Sequence, residues 1–201
     1  ATHRVPAKRM IVGGHSAGGH LTAMMFATDW KARGSPDHPV LGGVSISGVF
    51  DLEPRVDVSC NSDLCLAHQG AGDLSPALLG PRVDAPLLLA AGEGETQEFV
   101  RQSYALWESW PGCRPAGSTG PLLVPDRHHF SVLSELADPR TELFSSTMDL
   151  FLRGRSVRSA RGTRPRPVDR PGCRRPVSRA AHAAHGADSP RATGSPARCP
   201  L

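Results

Sequence analysis

The stretch Ile11-Val12-Gly13-Gly14-His15-Ser16-Ala17-Gly18-Gly19-His20, followed by Leu21-Thr22-Ala23-Met24-Met25-Phe26-Ala27, decides the fold. A short apolar run breaks into Gly-His-Ser-Ala-Gly and then resumes with helical composition. Short apolar runs of this kind form buried strands of parallel sheets, so the stretch predicts strand, tight turn, helix. A serine in Gly-x-Ser-x-Gly between a strand and a helix sits on a strained elbow that exposes its hydroxyl above the sheet. Glycines relieve the crowding in so sharp a turn, a role expected of Gly14 and Gly18. Behind the serine, the N-terminus of the next helix offers partial positive charge and free N–H groups, which suits a developing oxyanion.

Outward from the elbow, strands and helices alternate. Arg9 to Gly13 reads as the first strand, and Ala17 to about Arg33 as a helix with Leu21, Met24, Met25 and Thr28 along one face, ended by Gly34-Ser35-Pro36. Its methionines are packing residues rather than a cofactor site. Leu41 to Ser47 is a second strand, closed by Gly48. The segment from Phe50 to Asp84 is irregular, with short helices at Ser62–Ala67 and Pro76–Leu79. Pro86 to Ala91 gives a third strand, Thr96 to Trp110 a helix, Pro121 to Pro125 a fourth strand, and Phe130 to about Leu152 one or two closing helices. This alternation predicts an α/β fold with a mostly parallel sheet and right-handed crossovers.

The 201 residues give room for one domain of moderate size. The net charge of +4 is unevenly spread. From Arg153 to Leu201 twelve arginines face only Asp169 and Asp188, a balance of +10 that leaves residues 1–152 at −6. The body is therefore acidic, and nucleic-acid binding is not expected of it. Residues 153–201 are rich in Arg, Pro, Ala, Gly and Ser and hold no Phe, Trp or Tyr. Such a segment buries too little apolar surface to offset its chain entropy and is expected to be a disordered tail. An inert extension, or out-of-frame sequence from GC-rich DNA, fits it better than an anion-binding arm; the only lysines are Lys8 and Lys31. Cys60, Cys65, Cys113, Cys173 and Cys199 show no metal-ligand spacing, and nothing resembles a signal peptide or a membrane span. The expectation is a reduced, soluble, cytoplasmic protein.

In open parallel sheets, chemistry gathers at the carboxyl ends of the strands. Three strand ends here are followed by chemically capable residues: Ser16, then Glu93 and Glu95, then His128 and His129. The order Ser…Glu…His is that of the α/β-hydrolase triad. A serine hydroxyl is a poor nucleophile until a base takes its proton, so Ser16 requires a histidine within hydrogen-bond reach. His129 is the preferred base, although spacing alone does not separate it from His128. The third member must orient that base and balance the imidazolium that forms. Glu93 and Glu95 are both available for this, with Asp51 in reserve.

A family resemblance narrows these choices. Gly14-His15-Ser16-Ala17-Gly18-Gly19-His20-Leu21 with Met24-Met25 and Asp29-Trp30 closely resembles the kynurenine formamidase, or arylformamidase, family of α/β-hydrolases. So do Ser47-Gly48-Val49-Phe50-Asp51-Leu52-Glu53-Pro54, Glu95-Thr96-Gln97-Glu98-Phe99 with Arg101-Gln102-Ser103, and His129-Phe130. The likeness runs in order from about Arg9 to Leu152. It implies Ser16 as nucleophile, Glu95 as the acid (a position where relatives often carry Asp) and His129 as base. The implied reaction is hydrolysis of N-formyl-L-kynurenine to L-kynurenine and formate, a step of tryptophan catabolism. The Ala17 backbone N–H would hold part of the oxyanion. No metal or organic cofactor is implied, and the partner is a small formamide or ester substrate.

One departure stands out. The family draws further oxyanion donors from a His-Gly-Gly loop on an earlier strand, and this sequence contains no such loop. The resemblance therefore implies the C-terminal part of an α/β-hydrolase fold, with residues 1–152 a partial domain and 153–201 the tail. Loss of one oxyanion donor typically costs about 10²–10³ in turnover, so an inactive hydrolase fragment is one alternative. A short-chain carboxylesterase of the same fold is the other.

Overall fold

Strand β1 (Met10–His15) leads through Ser16 into helix α1 (Ala17–Ala27) in the computed structural model of the protein, which describes residues 10–35, 39–56, 61 and 66–160. Strands β2 (Val40–Ile46), β3 (Leu87–Gly92) and β4 (Leu122–Val124) follow, and all pairings are parallel in the order β1-β2-β3-β4. Between them lie α2 (His68–Asp73), α3 (Pro76–Leu79) and α4 (Gln97–Ser109), and α5 (Glu142–Ala160) closes the described chain. The register pairs His15 with Ile46, Ile46 with Ala90, and Gly92 with Val124, so the carboxyl ends of the four strands share one rim.

The two central strands, β2 and β3, are buried on both faces, as the interior of a parallel sheet requires. Side chains alternate along β3: Leu87 and Leu89 join one core cluster, Leu88 and Ala90 the other. The first cluster takes Phe26 from α1 together with Leu106 and Trp107 from α4. Phe26 stacks on Trp110 with ring centroids 6.3 Å apart. The second takes Leu143 and Leu150 from α5 and Val132 from the 3₁₀ turn Ser131–Ala137. Strands in sequential order whose crossovers share one hand put their connecting helices on one face, leaving the other to the element after the last strand. That is the division seen here.

Helix α1 departs from the sequence expectation in length and in buried face. It ends at Ala27 rather than near Arg33, because the chain turns extended at Thr28. The Thr28 hydroxyl donates to the Met24 carbonyl at 2.7 Å and the Trp30 indole N–H to the Met25 carbonyl at 2.9 Å, satisfying carbonyls that a further turn would have used. The buried face is Gly19, Thr22, Ala23, Phe26 and Ala27, while Leu21 is 62% exposed. The helix is apolar on every side, so its periodicity selects no face. Packing does, with the small residues Gly19 and Ala23 turned inward.

The irregular segment after β2 is held by side-chain amides. Buried Gln102 accepts the N–H groups of Phe50 and Asp51, both at 2.8 Å, and donates to the Asp51 carbonyl at 2.9 Å and to Glu98 Oε1 at 2.7 Å. Asn61 donates to the carbonyls of Val56 and Leu66. A helix was expected over Ser62–Ala67; Leu66 and Ala67 are not helical, the next helix starts at His68, and residues 62–65 lie outside the described set. The short helix Pro76–Leu79 occurs as expected.

Helix α5 continues past Leu152 to Ala160, beyond the expected domain end, and the rest of the expected tail, residues 161–201, lies outside the described residues. Cys113 is buried and unpaired, and burial pushes its thiol pKa up; the other four cysteines lie outside the described residues. Among the described residues no helix is long and apolar enough to cross a membrane, and no group of His, Cys, Asp or Glu could hold a metal ion.

Candidate active site

The turn from β1 into α1 forces an unusual backbone at Ser16, with φ 57° and ψ −118°. A positive φ in a non-glycine residue is costly and persists where surrounding structure imposes it. The Ser16 N–H donates to the Ile46 carbonyl at 2.9 Å, and the His20 N–H donates to the Ser16 carbonyl at 3.1 Å. Gly14 is required here because a Cβ on it would run into the Gly18 carbonyl group. Gly18 itself is not sterically required, contrary to the sequence expectation: a Cβ there meets nothing within 4 Å. What the turn needs from position 18 is its backbone.

The Ser16 side chain does not cap α1, and no other side chain does. Its Oγ lies 3.1 Å from His129 Nε2 instead. The opposite ring nitrogen, Nδ1, is 2.7 Å from Glu95 Oε2. A carboxylate only accepts, so Nδ1 carries the proton, Nε2 presents its lone pair, and the Ser16 hydroxyl donates to it. The Glu95 side chain is fully buried and that of His129 is 22% exposed. Because Ser16 does not cap the helix, the first-turn N–H groups of α1, Ala17 among them, are not taken up by a side chain.

Each member follows a different strand. Ser16 follows β1, Glu95 follows β3, and His129 follows β4. The loop after β4 turns at Asp126, whose φ is 56°, and an Arg127–Glu135 ion pair at 2.6 Å pins it. Gly92 permits the close approach of β3 to this loop, since a Cβ there would strike the Arg127 carbonyl. The Gly94 N–H donates to the same carbonyl at 2.9 Å.

The alternatives left open by spacing are not brought into this arrangement. His128 is exposed, and its Nδ1 accepts the N–H groups of Phe130 and Ser131 at 3.3 and 3.4 Å. Glu93 is exposed as well. Asp51 accepts the Glu53 N–H at 3.1 Å and lies 3.9 Å from Arg101. Sequence reasoning gave no role to several neighbours of the His129 ring. His15 Nε2–H donates to the His129 carbonyl at 2.6 Å, with the ring centroids 4.5 Å apart. Phe99 lies 4.4 Å from the His129 ring, centroid to centroid. Phe130 meets it edge-on at 5.2 Å and is itself 73% exposed. The neighbouring position of His15 in the elbow was the only available signal for it.

No family model matches the chain. The chain is 31% identical over 133 residues to a kynurenine formamidase of Salmo salar, a match covering 62% of this chain and 44% of that protein. It is 30% identical over 132 residues to a kynurenine formamidase of Danio rerio, covering 62% and 43%. Among solved structures, it superposes with a TM-score of 0.58 and 29% identity on a candidate thioesterase from Silicibacter sp. tm1040, covering 68% of this chain and 49% of that one. The chain spans less than half the length of the curated relatives it matches.

Proposed function

We propose that this chain, which has the α/β-hydrolase fold and resembles the kynurenine formamidases, carries the catalytic residues of a serine hydrolase acting on a small formamide. The observation that carries the reading is the hydrogen-bonded chain from Ser16 Oγ through His129 to Glu95, at 3.1 and 2.7 Å. Ser16 attacks the formyl carbon of N-formyl-L-kynurenine while His129 Nε2 takes its proton. The Ala17 N–H stabilises the tetrahedral oxyanion. His129 then returns the proton to the departing aryl amine, and L-kynurenine leaves. Water, activated by the same imidazole, releases formate from Ser16. Glu95 keeps the imidazole in one tautomer and balances its charge throughout.

The reading includes a role in tryptophan catabolism and a cytoplasmic location. Two measurements test it. A fluorophosphonate probe should label Ser16, as read by peptide mass spectrometry, and no labelling in folded protein rejects the serine mechanism. Turnover of N-formyl-L-kynurenine is then compared with that of p-nitrophenyl acetate. Activity on the ester alone would replace the formamidase assignment with a carboxylesterase one.

A further inference from the structure

We propose that Ser47 is a positioning residue for His129, acting through Glu95. The inference rests on the proposed roles of Ser16, Glu95 and His129, and it adds to them the element that fixes the acid. Ser47 is the residue immediately after β2, fully buried, with its N–H donating to the Ala90 carbonyl at 2.7 Å. Its hydroxyl donates to Glu95 Oε1 at 2.5 Å. The Gly92 N–H donates to the same oxygen at 2.7 Å. Oε1 is therefore held at two points, and Oε2 is left for the His129 Nδ1–H.

The chemistry gives this grip a purpose. A glutamate has one more torsion than an aspartate, and an orienting acid with a free torsion does not hold an imidazole in one direction. A buried carboxylate also needs its lone pairs filled by donors. Ser47 and Gly92 supply both constraints at once. The backbone supports the reading independently. Among the described residues only Ser16, Ser47 and Asp126 combine a side chain with positive φ, at 57°, 50° and 56°, and each lies just beyond the carboxyl end of a strand at this rim. Strain of this kind gathers where a side chain must be aimed. At Ser47 it accompanies a hydroxyl aimed at the carboxylate.

A turn-forming role for Ser47 would make different predictions, and two substitutions separate them. Ser47→Ala removes the hydroxyl and keeps the strain, whereas Ser47→Gly removes the hydroxyl and suits the positive φ. In the full chain, both are expected to slow fluorophosphonate labelling of Ser16 about 10-fold, the scale of one hydrogen bond to a charged group. Both should also broaden or shift the downfield proton resonance of His129 Nδ1–H. In a Glu95→Gln background, adding Ser47→Ala should cause no further loss, because the hydroxyl acts only through the carboxylate. Wild-type labelling and an unchanged resonance in folded Ser47→Gly would overturn the inference, as would an undiminished Ser47→Ala loss in the Glu95→Gln background. If the wild-type chain itself is not labelled, the serine-hydrolase reading fails. The resonance comparison then still decides Ser47: a disturbed resonance supports its grip on Glu95, and an unchanged one rejects it.

Discussion

At the carboxyl rim of the sheet, Ser16, Ser47 and Asp126 hold left-handed backbone, and a buried carboxylate is filled by a hydroxyl, an amide and an imidazole. The two faces of the same sheet are held otherwise, by Phe26, Leu87, Leu89 and Leu106 on one side and Val44, Leu88 and Leu143 on the other. Apolar packing is non-directional and tolerates many arrangements of similar volume. Hydrogen bonds inside the rim are directional and fail when one partner moves. The faces supply stability, and the rim spends part of it as strain, which at Ser16 and Ser47 accompanies hydroxyls aimed at His129 and Glu95. Substitutions at the rim should therefore change reactivity more than stability, and substitutions on the faces the reverse.

The largest expected effect is at the rim. Ser16→Ala should bring fluorophosphonate labelling to background and lower any formamide turnover by at least about 10³-fold, with the unfolding midpoint little changed. Persistent labelling elsewhere would move the reactive centre away from the elbow. Gly14→Ala drives a Cβ into the Gly18 carbonyl group and should displace Ser16, slowing labelling about 10²-fold as measured by probe kinetics. On the faces, Phe26→Ala should cost about 3–5 kcal/mol in denaturant unfolding, because its fully buried ring leaves a cavity against Trp110. Gln102→Leu lies between the two regimes. It leaves the N–H groups of Phe50 and Asp51 without their acceptor and should lower stability by about 1–3 kcal/mol in the same assay. The smallest effect, of opposite sign, is Gly18→Ala: its Cβ meets open space in the first turn of α1, so a gain of about 0.4–1 kcal/mol is expected from reduced unfolded-state entropy. A Gly18→Ala variant that slows labelling as much as Gly14→Ala would show instead that the elbow needs glycine at both positions.

The sequence by itself determined the strand–elbow–helix at Ser16, the alternation of strands and helices, and the order Ser…Glu…His along the chain. These are properties of local composition and spacing, set by backbone sterics and burial within a few residues. Spacing did not separate two nearby residues of the same type; at the level of sequence only the family resemblance favoured Glu95 and His129. His128 and His129 share a loop, yet one ring binds backbone at the surface and the other lies between Ser16 and Glu95. Glu93 and Glu95 divide in the same way, one exposed and the other with a fully buried side chain. Such choices depend on strand register and on close approaches such as Gly92 against the Arg127 carbonyl, which join residues far apart in the chain. The inner face of α1 and the hydroxyl of Ser47 on Glu95 were decided at the same level. Local periodicity says where a side chain leaves the backbone; only packing between distant segments says what it meets.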